Sequence, residues 1–244
     1  KDKKISGGSY TIKDEDKSTF WNLYHKHVFV EGNHEYLTES QLQNGEGPIL
    51  IDMDFRYNID IQERQHTQED ICRFCDIYVE KINEIKDFNS INECEFPIYV
   101  FQKQDVNTNT NNEGITKDGI HIIIGIKMDH QEQLLLRNKV IADISEAVEE
   151  LPLINSIDDV LDRGITSGSN KWQVYGSRKP GHQRYELTNI FMYKYKKEHS
   201  EFTYNITTEE QDISNFNLKK NIHKLSAQYS EHISIKTKEE IKTQ

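Results

Sequence analysis

The chain has 244 residues, of which 35% are hydrophobic and 29% charged, and carries a net charge of −11 at pH 7. That length supports one large domain or two small ones with a sizeable core, and no apolar run approaches a membrane span. So acidic a chain excludes a protein that coats nucleic acid through bulk positive charge and leaves only local basic patches for phosphate.

The first predicted helix covers residues 16–29, where Phe20, Trp21, Leu23, Tyr24, His27 and Val28 recur at helical spacing. A Gly-containing loop at 44–47 then leads into "ILIDMDFRY", whose alternation predicts a strand. That strand sends Ile49, Ile51, Met53 and Phe55 to one face. Asp52 and Asp54 go to the other, about 6.6 Å apart. The next helix starts at Thr67 as N-cap with Asp70 three residues on, and carries Ile71, Phe74, Cys75, Tyr78, Val79, Ile82 and Ile85 along one stripe. Cys72 and Cys75 fall inside it without a second pair or a well-spaced histidine, so they read as helix core rather than a zinc site. With Cys94 they make three cysteines, an odd number without framework spacing, as expected in a reducing intracellular compartment.

Pro97 opens a strand, a polar loop follows at 105–114, and "GIHIIIGI" forms a further strand from Gly119. In it Ile120, Ile122, Ile124 and Ile126 share one face, while His121 lies on the other with Ile123 and Gly125, and Lys117 sits in the preceding loop. Residues 131–151 predict an amphipathic helix through Leu134, Ile141, Ile144, Val148 and Leu151 that stops at Pro152. Asp162 precedes a Gly/Ser loop, and a strand at 171–177 sets Lys171, Gln173, Tyr175 and Ser177 on one face with Trp172 and Val174 toward the core. Lys179 follows, inside a basic run that contains Arg178, His182 and Arg184. A strand at 185–195 ends in a second basic run, 194–197. Beyond about Thr207 the charge rises and the pattern degrades, which predicts a linker or C-terminal extension with a weak helix over 218–230. Alternating strands and helices predict an α/β (α+β) fold, a mixed central sheet flanked by helices. The chain begins at Lys1 rather than Met, and we expect it to be a piece of a longer protein.

Two carboxylates on one strand face repel unless a cation lies between them. A hard divalent ion such as Mg²⁺ or Mn²⁺ prefers carboxylate oxygens and keeps positions open for phosphate, which suits nucleotidyl or phosphoryl transfer. His121 can reach a neighbouring strand's carboxylates or a phosphate, and Lys117 adds a flexible cation beside it. Asp52, Asp54 and Asp162 are the expected metal ligands, with the lysines as a triphosphate cradle.

The order of "ILIDMDFRY", "KDGIHIIIGIKM" and "VYGSRKPGHQRYEL" resembles the archaeo-eukaryotic primase superfamily, in particular its PrimPol-like branch and the N-terminal primase domains of primase-helicases of large nucleocytoplasmic DNA viruses. The resemblance implies a primase-type catalytic core with an RRM-like part. Residues 1–206 would form the primase/polymerase domain, divided into an N-terminal helical and α/β part (1–48) and a catalytic part (49–206), with 207–244 outside it. Asp52, Asp54 and Asp162 match the metal-binding acids; His121, Lys117, Lys171 and Lys179 match nucleotide contacts. Gly119, Gln173 and Ser177 belong to the same nucleotide-binding segments, and Arg178, His182 and Arg184 are the expected nucleic-acid contacts. Two departures stand out: Gly119 replaces a serine common in the family, and Gln173 stands where PrimPol-like members carry arginine.

The implied activity is DNA-dependent nucleotidyl transfer, in which a 3′-hydroxyl attacks the α-phosphate of a bound nucleoside triphosphate and no protein nucleophile is needed. Implied partners are a single-stranded DNA template, nucleoside triphosphates and a helicase domain C-terminal to this segment, with no membrane. The implied place is a viral replication site in cytoplasm or nucleus. The alternative from the same residues is a catalytically weak nucleic-acid-binding replication scaffold that keeps the fold.

Overall fold

A computed structural model describes residues 8–42, 45–108, 114–197 and 204–242. Asn44 and the centre of the 105–114 loop lie outside the described residues. Helix α1 (Asp14–His25) ends in a wide turn over Lys26–Val30, closed by Glu31 N–H donating to the Lys26 carbonyl at 2.9 Å. Tyr24 and Val28 are its buried side chains, while Leu23 is 62% exposed, so the apolar stripe is narrower than its spacing suggests.

Short β1 (Thr38–Glu39) precedes β2 (Gly47–Asn58). Helix α2 (Gln68–Ile85) begins in the expected capping box, in which the Thr67 and Asp70 side chains each accept from the other's backbone N–H. Its predicted stripe from Ile71 to Ile85 is buried throughout, with Cys75 in the core and Cys72 half-buried, both as free thiols. Strand β3 (Glu93–Gln102) starts four residues before Pro97. Its ladder with the next strand, β4 (Ile115–Met128), begins only at Ile98, and Gly125 leaves room for the proline ring, which a Cβ there would meet at 2.6 Å.

Helix α3 (His130–Ala147) is capped by Asp129 and Glu132 and buries Leu136, Val140 and Ile144. It stops before Pro152, and its buried stripe is rotated from the one expected through Leu134 and Ile141. One-turn helices α4 (Ile157–Val160) and α5 (Arg163–Thr166) follow, then β5 (Trp172–Gln173). The strand expected over 171–177 shrinks to these two residues. Gly176 adopts φ 89°, and Ser177 N–H donates to the Val174 carbonyl, which turns the chain.

Strands β6 (Glu186–Lys197) and β7 (Tyr204–Glu210) complete a five-stranded sheet in the order β2-β4-β3-β6-β7. Every ladder in it is antiparallel, and an isolated parallel bridge joins Ile126 to Ile233. The mixed α/β class holds. Helices α2 and α3 pack against one face, over Ile51, Met53, Phe55, Ile120, Ile122 and Ile124. The opposite face carries a smaller cluster that includes Leu50, Tyr99, Phe101, Ile123 and Trp172.

Residues after 207 are not a bare linker. β7 adds an edge strand, α6 (Leu218–Asn221) begins a short helical stretch, and Leu225 and Ala227 are buried under the second face. Final helix α7 (Glu239–Lys242) lies beyond a buried anchor: the fully buried Lys86 ammonium donates to Glu132 at 2.8 and 2.9 Å and to Thr237 Oγ1 at 3.1 Å. The pattern is irregular because β7 is an edge strand, where charge such as that of exposed Glu209 guards against pairing with another chain. Among the described residues no helix is long and apolar enough to cross a membrane.

Removing one member of a buried ion pair leaves the other charge uncompensated. Lys86→Ala is therefore expected to cost about 3 kcal/mol or more. Urea unfolding of the variant beside the wild-type chain measures it.

Candidate active site

The β2–β4 register sets Asp52 directly opposite His121 and Asp54 opposite Gly119. Opposed residues share a face, so both carboxylates and the imidazole stand on the side of the sheet away from α2 and α3. His121 Nε2 is 3.4 Å from Asp52 Oδ1, and the imidazole is buried, stacked on Tyr185 with centroids 3.6 Å apart and packed on Trp172 at 4.6 Å. Asp52 Oδ1 is itself buried and has no hydrogen-bond partner.

The two acids titrate apart. Burial pushes Asp52 up, but His121, Lys179 and Lys103 outweigh it and hold the carboxyl below its ordinary value. Burial and then the Asp52 charge drive Asp54 up to about 6, against the pull of the same cations. Like charges held close in a dry site behave this way when nothing lies between them.

Lys103, just past β3, is a site residue that sequence reasoning missed. It follows Phe101, which pairs with His121, so strand parity carries it to the same face. Arg64 fixes its backbone, donating to the Lys103 carbonyl at 2.7 Å while gripping Asp118 at 2.9 and 3.2 Å. Burial, then the neighbouring Lys179, lowers the Lys103 ammonium. His182 is lowered by burial and then by the charges of Lys103, Lys179 and Lys117. In a chain of net charge −11, that is a concentrated local positive field.

The remaining expected residues divide. Lys117 lies within β4 on the site face, opposite Arg56, its backbone paired with Asn107. Exposed Lys171 immediately precedes Trp172. Gln173 and Ser177 build the loop: Gln173 Nε2 donates to the Ser177 carbonyl at 2.6 Å, and the buried Ser177 hydroxyl shares a 2.8 Å hydrogen bond with Tyr24 and accepts from Leu37 N–H. Arg178 and Arg184 line an open groove of about 310 Å³ with His34, Asn33 and Gln104, and the Arg184 guanidinium lies 5.4 Å over the Phe29 ring.

Asp162 reaches Asp52 through the backbone. Leu161 bridges Met53, and Asp162 N–H donates to the Asp52 carbonyl at 3.0 Å along the outer edge of β2. Its carboxylate caps α5, accepting from Gly164 N–H at 2.6 Å and from Asn170 Nδ2 at 3.1 Å.

Gly119 marks a close approach. A Cβ there would stand 2.8 Å from the Met53 carbonyl and 2.9 Å from the Tyr185 hydroxyl, so backbone and phenol together fill the space a side chain would need.

The family described as C962R protein N-terminal AEP domain, AEP denoting archaeo-eukaryotic primase, matches residues 3–191. The chain belongs to the archaeo-eukaryotic primase superfamily. No curated protein matches it. The matched span contains every element of the site, and at family level the domain is a primase-like nucleotidyltransferase. Primase domains of this superfamily generally use divalent metals. Asp52 and Asp54 fit such an ion, because the orphaned Asp52 oxygen and the raised Asp54 both call for a cation between them. Among the described residues no group of three or more His, Cys, Asp or Glu side chains is gathered as a ready ligand set.

Two outcomes follow from this geometry. Asp54 holds its proton more tightly folded than unfolded, so its contribution to stability is present below about pH 4 and is lost as pH rises through about 6. In metal-free buffer at pH 7, Asp54→Asn should raise the melting temperature by about 3 °C or more, and the gain should vanish near pH 4. Gly119→Ala should cost about 1–3 kcal/mol through overpacking, read by chemical unfolding.

Proposed function

We propose that this chain is a DNA-dependent nucleotidyltransferase, a primase or primase-polymerase domain that makes or extends primers in DNA replication by two-metal-ion phosphoryl transfer. The observation that carries the reading is the shared site: paired carboxylates at Asp52 and Asp54 beside the cations Lys103, Lys117 and Lys179. Acids to hold metal serve nucleotidyl transfer and DNA hydrolysis alike, and it is the cations placed to hold a triphosphate that nucleotidyl transfer requires and simple hydrolysis of DNA does not.

Asp52 and Asp54 would hold Mg²⁺ or Mn²⁺, with Asp162 joining them on release from its helix cap. When bound, the ions lower the pKa of the attacking hydroxyl and neutralise phosphate charge. Lys103, Lys117, Lys179 and Lys171 balance the triphosphate, and their fixed charge favours the transition state, where negative charge on the transferring group is greatest. His121 keeps Asp52 ionised and oriented and is not a general base. The groove at Arg178 and Arg184 receives the single-stranded template, the arginines meeting its phosphates. A helicase domain follows this segment in the full protein, and the setting is a viral replication site inside the cell.

A second reading, a catalytically weak replication scaffold, draws on one observation: the Asp162 carboxylate is engaged by Gly164 and Asn170. Titration of labelled nucleoside triphosphate with Mn²⁺ separates the two, since a scaffold binds single-stranded DNA without saturable nucleotide binding.

Template-directed incorporation should require Mg²⁺ or Mn²⁺. It should fall by more than about 100-fold in Asp52→Ala plus Asp54→Ala, with single-stranded DNA binding retained. Primer extension on a defined template measures the first quantity and filter binding the second. Unchanged extension in the double variant removes the metal mechanism.

A further inference from the structure

Tyr185 belongs to none of the acid or lysine positions, yet the cationic side of the site is built around it. The His121 ring stacks on it at 3.6 Å with planes 19° apart, and the Lys103 ammonium sits 4.7 Å from its centroid. Its hydroxyl end is enclosed against Gly119, near the Asp54 carboxylate. One aromatic side chain therefore touches both the imidazole that pairs with Asp52 and the lysine whose charge bears on both acids.

A lysine has four rotatable bonds and is strongly hydrated; left alone beside two acids it would collapse onto them or turn to solvent. An ammonium held over an aromatic face keeps its charge and gains a fixed position without neutralising a carboxylate. Arg64 fixes the Lys103 backbone from one side and the tyrosine ring meets the ammonium from the other. Stacking fixes the plane of His121 in the same way, and so the direction in which Nε2 meets Asp52. Gly119 completes the arrangement, because any side chain there would displace the phenol.

We propose that Tyr185 is a positioning residue for the incoming nucleotide, its ring holding Lys103 and His121 in the arrangement that receives a triphosphate. This rests on the reading of the site as a nucleoside-triphosphate site. The ring, not the hydroxyl, does the positioning; the hydroxyl adds to the Met53 carbonyl in closing the space at Gly119.

The test is equilibrium binding of a fluorescent nucleoside triphosphate with Mn²⁺, beside binding of single-stranded DNA and a thermal melt, for Tyr185→Phe, Tyr185→Leu, Lys103→Met and the Lys103→Met/Tyr185→Leu pair. Tyr185→Phe should bind nucleotide within about twofold of wild type, and Tyr185→Leu about tenfold more weakly with DNA affinity unchanged. The double variant should bind less weakly than the product of the two single effects, because Tyr185 acts in part through that lysine and in part through His121. Tyr185→Met replaces the leucine variant if the latter fails to fold. Wild-type affinity in the leucine or methionine variant, a phenylalanine variant as weak as leucine, or independent effects that multiply in the double variant would each overturn the assignment while leaving the nucleotide reading intact. A wild-type chain with no saturable nucleotide binding would bring down both.

Discussion

The site depends on one ladder, the antiparallel pairing of β2 with β4 in the register that opposes Asp52 to His121. Side chains on a strand alternate, so a slip of one residue would turn both acids into the helix-packed core and expose Ile51, Met53 and Phe55. The penalty for that slip is the loss of a fully apolar face on each strand: Met53, Phe55, Ile120, Ile122 and Ile124 are all completely buried. Core packing on one face of the sheet thus sets the chemistry on the other. The same register brings Gly119 opposite Asp54, where the absence of a side chain lets Tyr185 approach.

The site is electrostatically unfavourable for the protein in isolation. Two carboxylates share a dry face, one driven to hold its proton, and a lysine beside them is partly stripped of water. Such conflict is ordinary where a polyanionic substrate and cations must be bound, since the groups that strain the free chain are those that a bound ion and phosphates would relieve. The structure confines the strain to a small region. Two hydrogen-bonded pairs, Arg64 with Asp118 and His66 with Gln102, stand behind it, and Tyr185 and Trp172 close over His121.

The segment after Thr207 shows how tertiary context gives a role to a sequence that looks unremarkable. β7 is an edge strand, where charge is protective, and the residues beyond it contribute Leu225, Ala227 and Ile235 to the two sides of the sheet. Anchored through Lys86, Glu132 and Thr237, this stretch packs as part of the same structure that carries the site.

By itself the sequence determined the local elements and the faces of their side chains, because these follow from short-range periodicity. The Asp52 and Asp54 face, the isoleucine row of β4, the capping box at Thr67 and the buried stripe of α2 were all legible in it. It also carried the family resemblance in segments 49–57, 117–128 and 174–187. Only the tertiary structure decided which strands pair, and with that the membership of the site. Lys103 sits in a segment with no distinguishing motif, and Tyr185, although inside 174–187, carries no charge or ligand type that singles it out, so nothing local marks either until β3 pairs with β4 and the Tyr185 ring folds over His121. In the same way, Ser177 and Gln173 proved to be loop-builders, and the Asp162 carboxylate caps its own helix, because a polar side chain's partner is fixed by what packing brings within hydrogen-bond reach, which spacing along the chain does not encode.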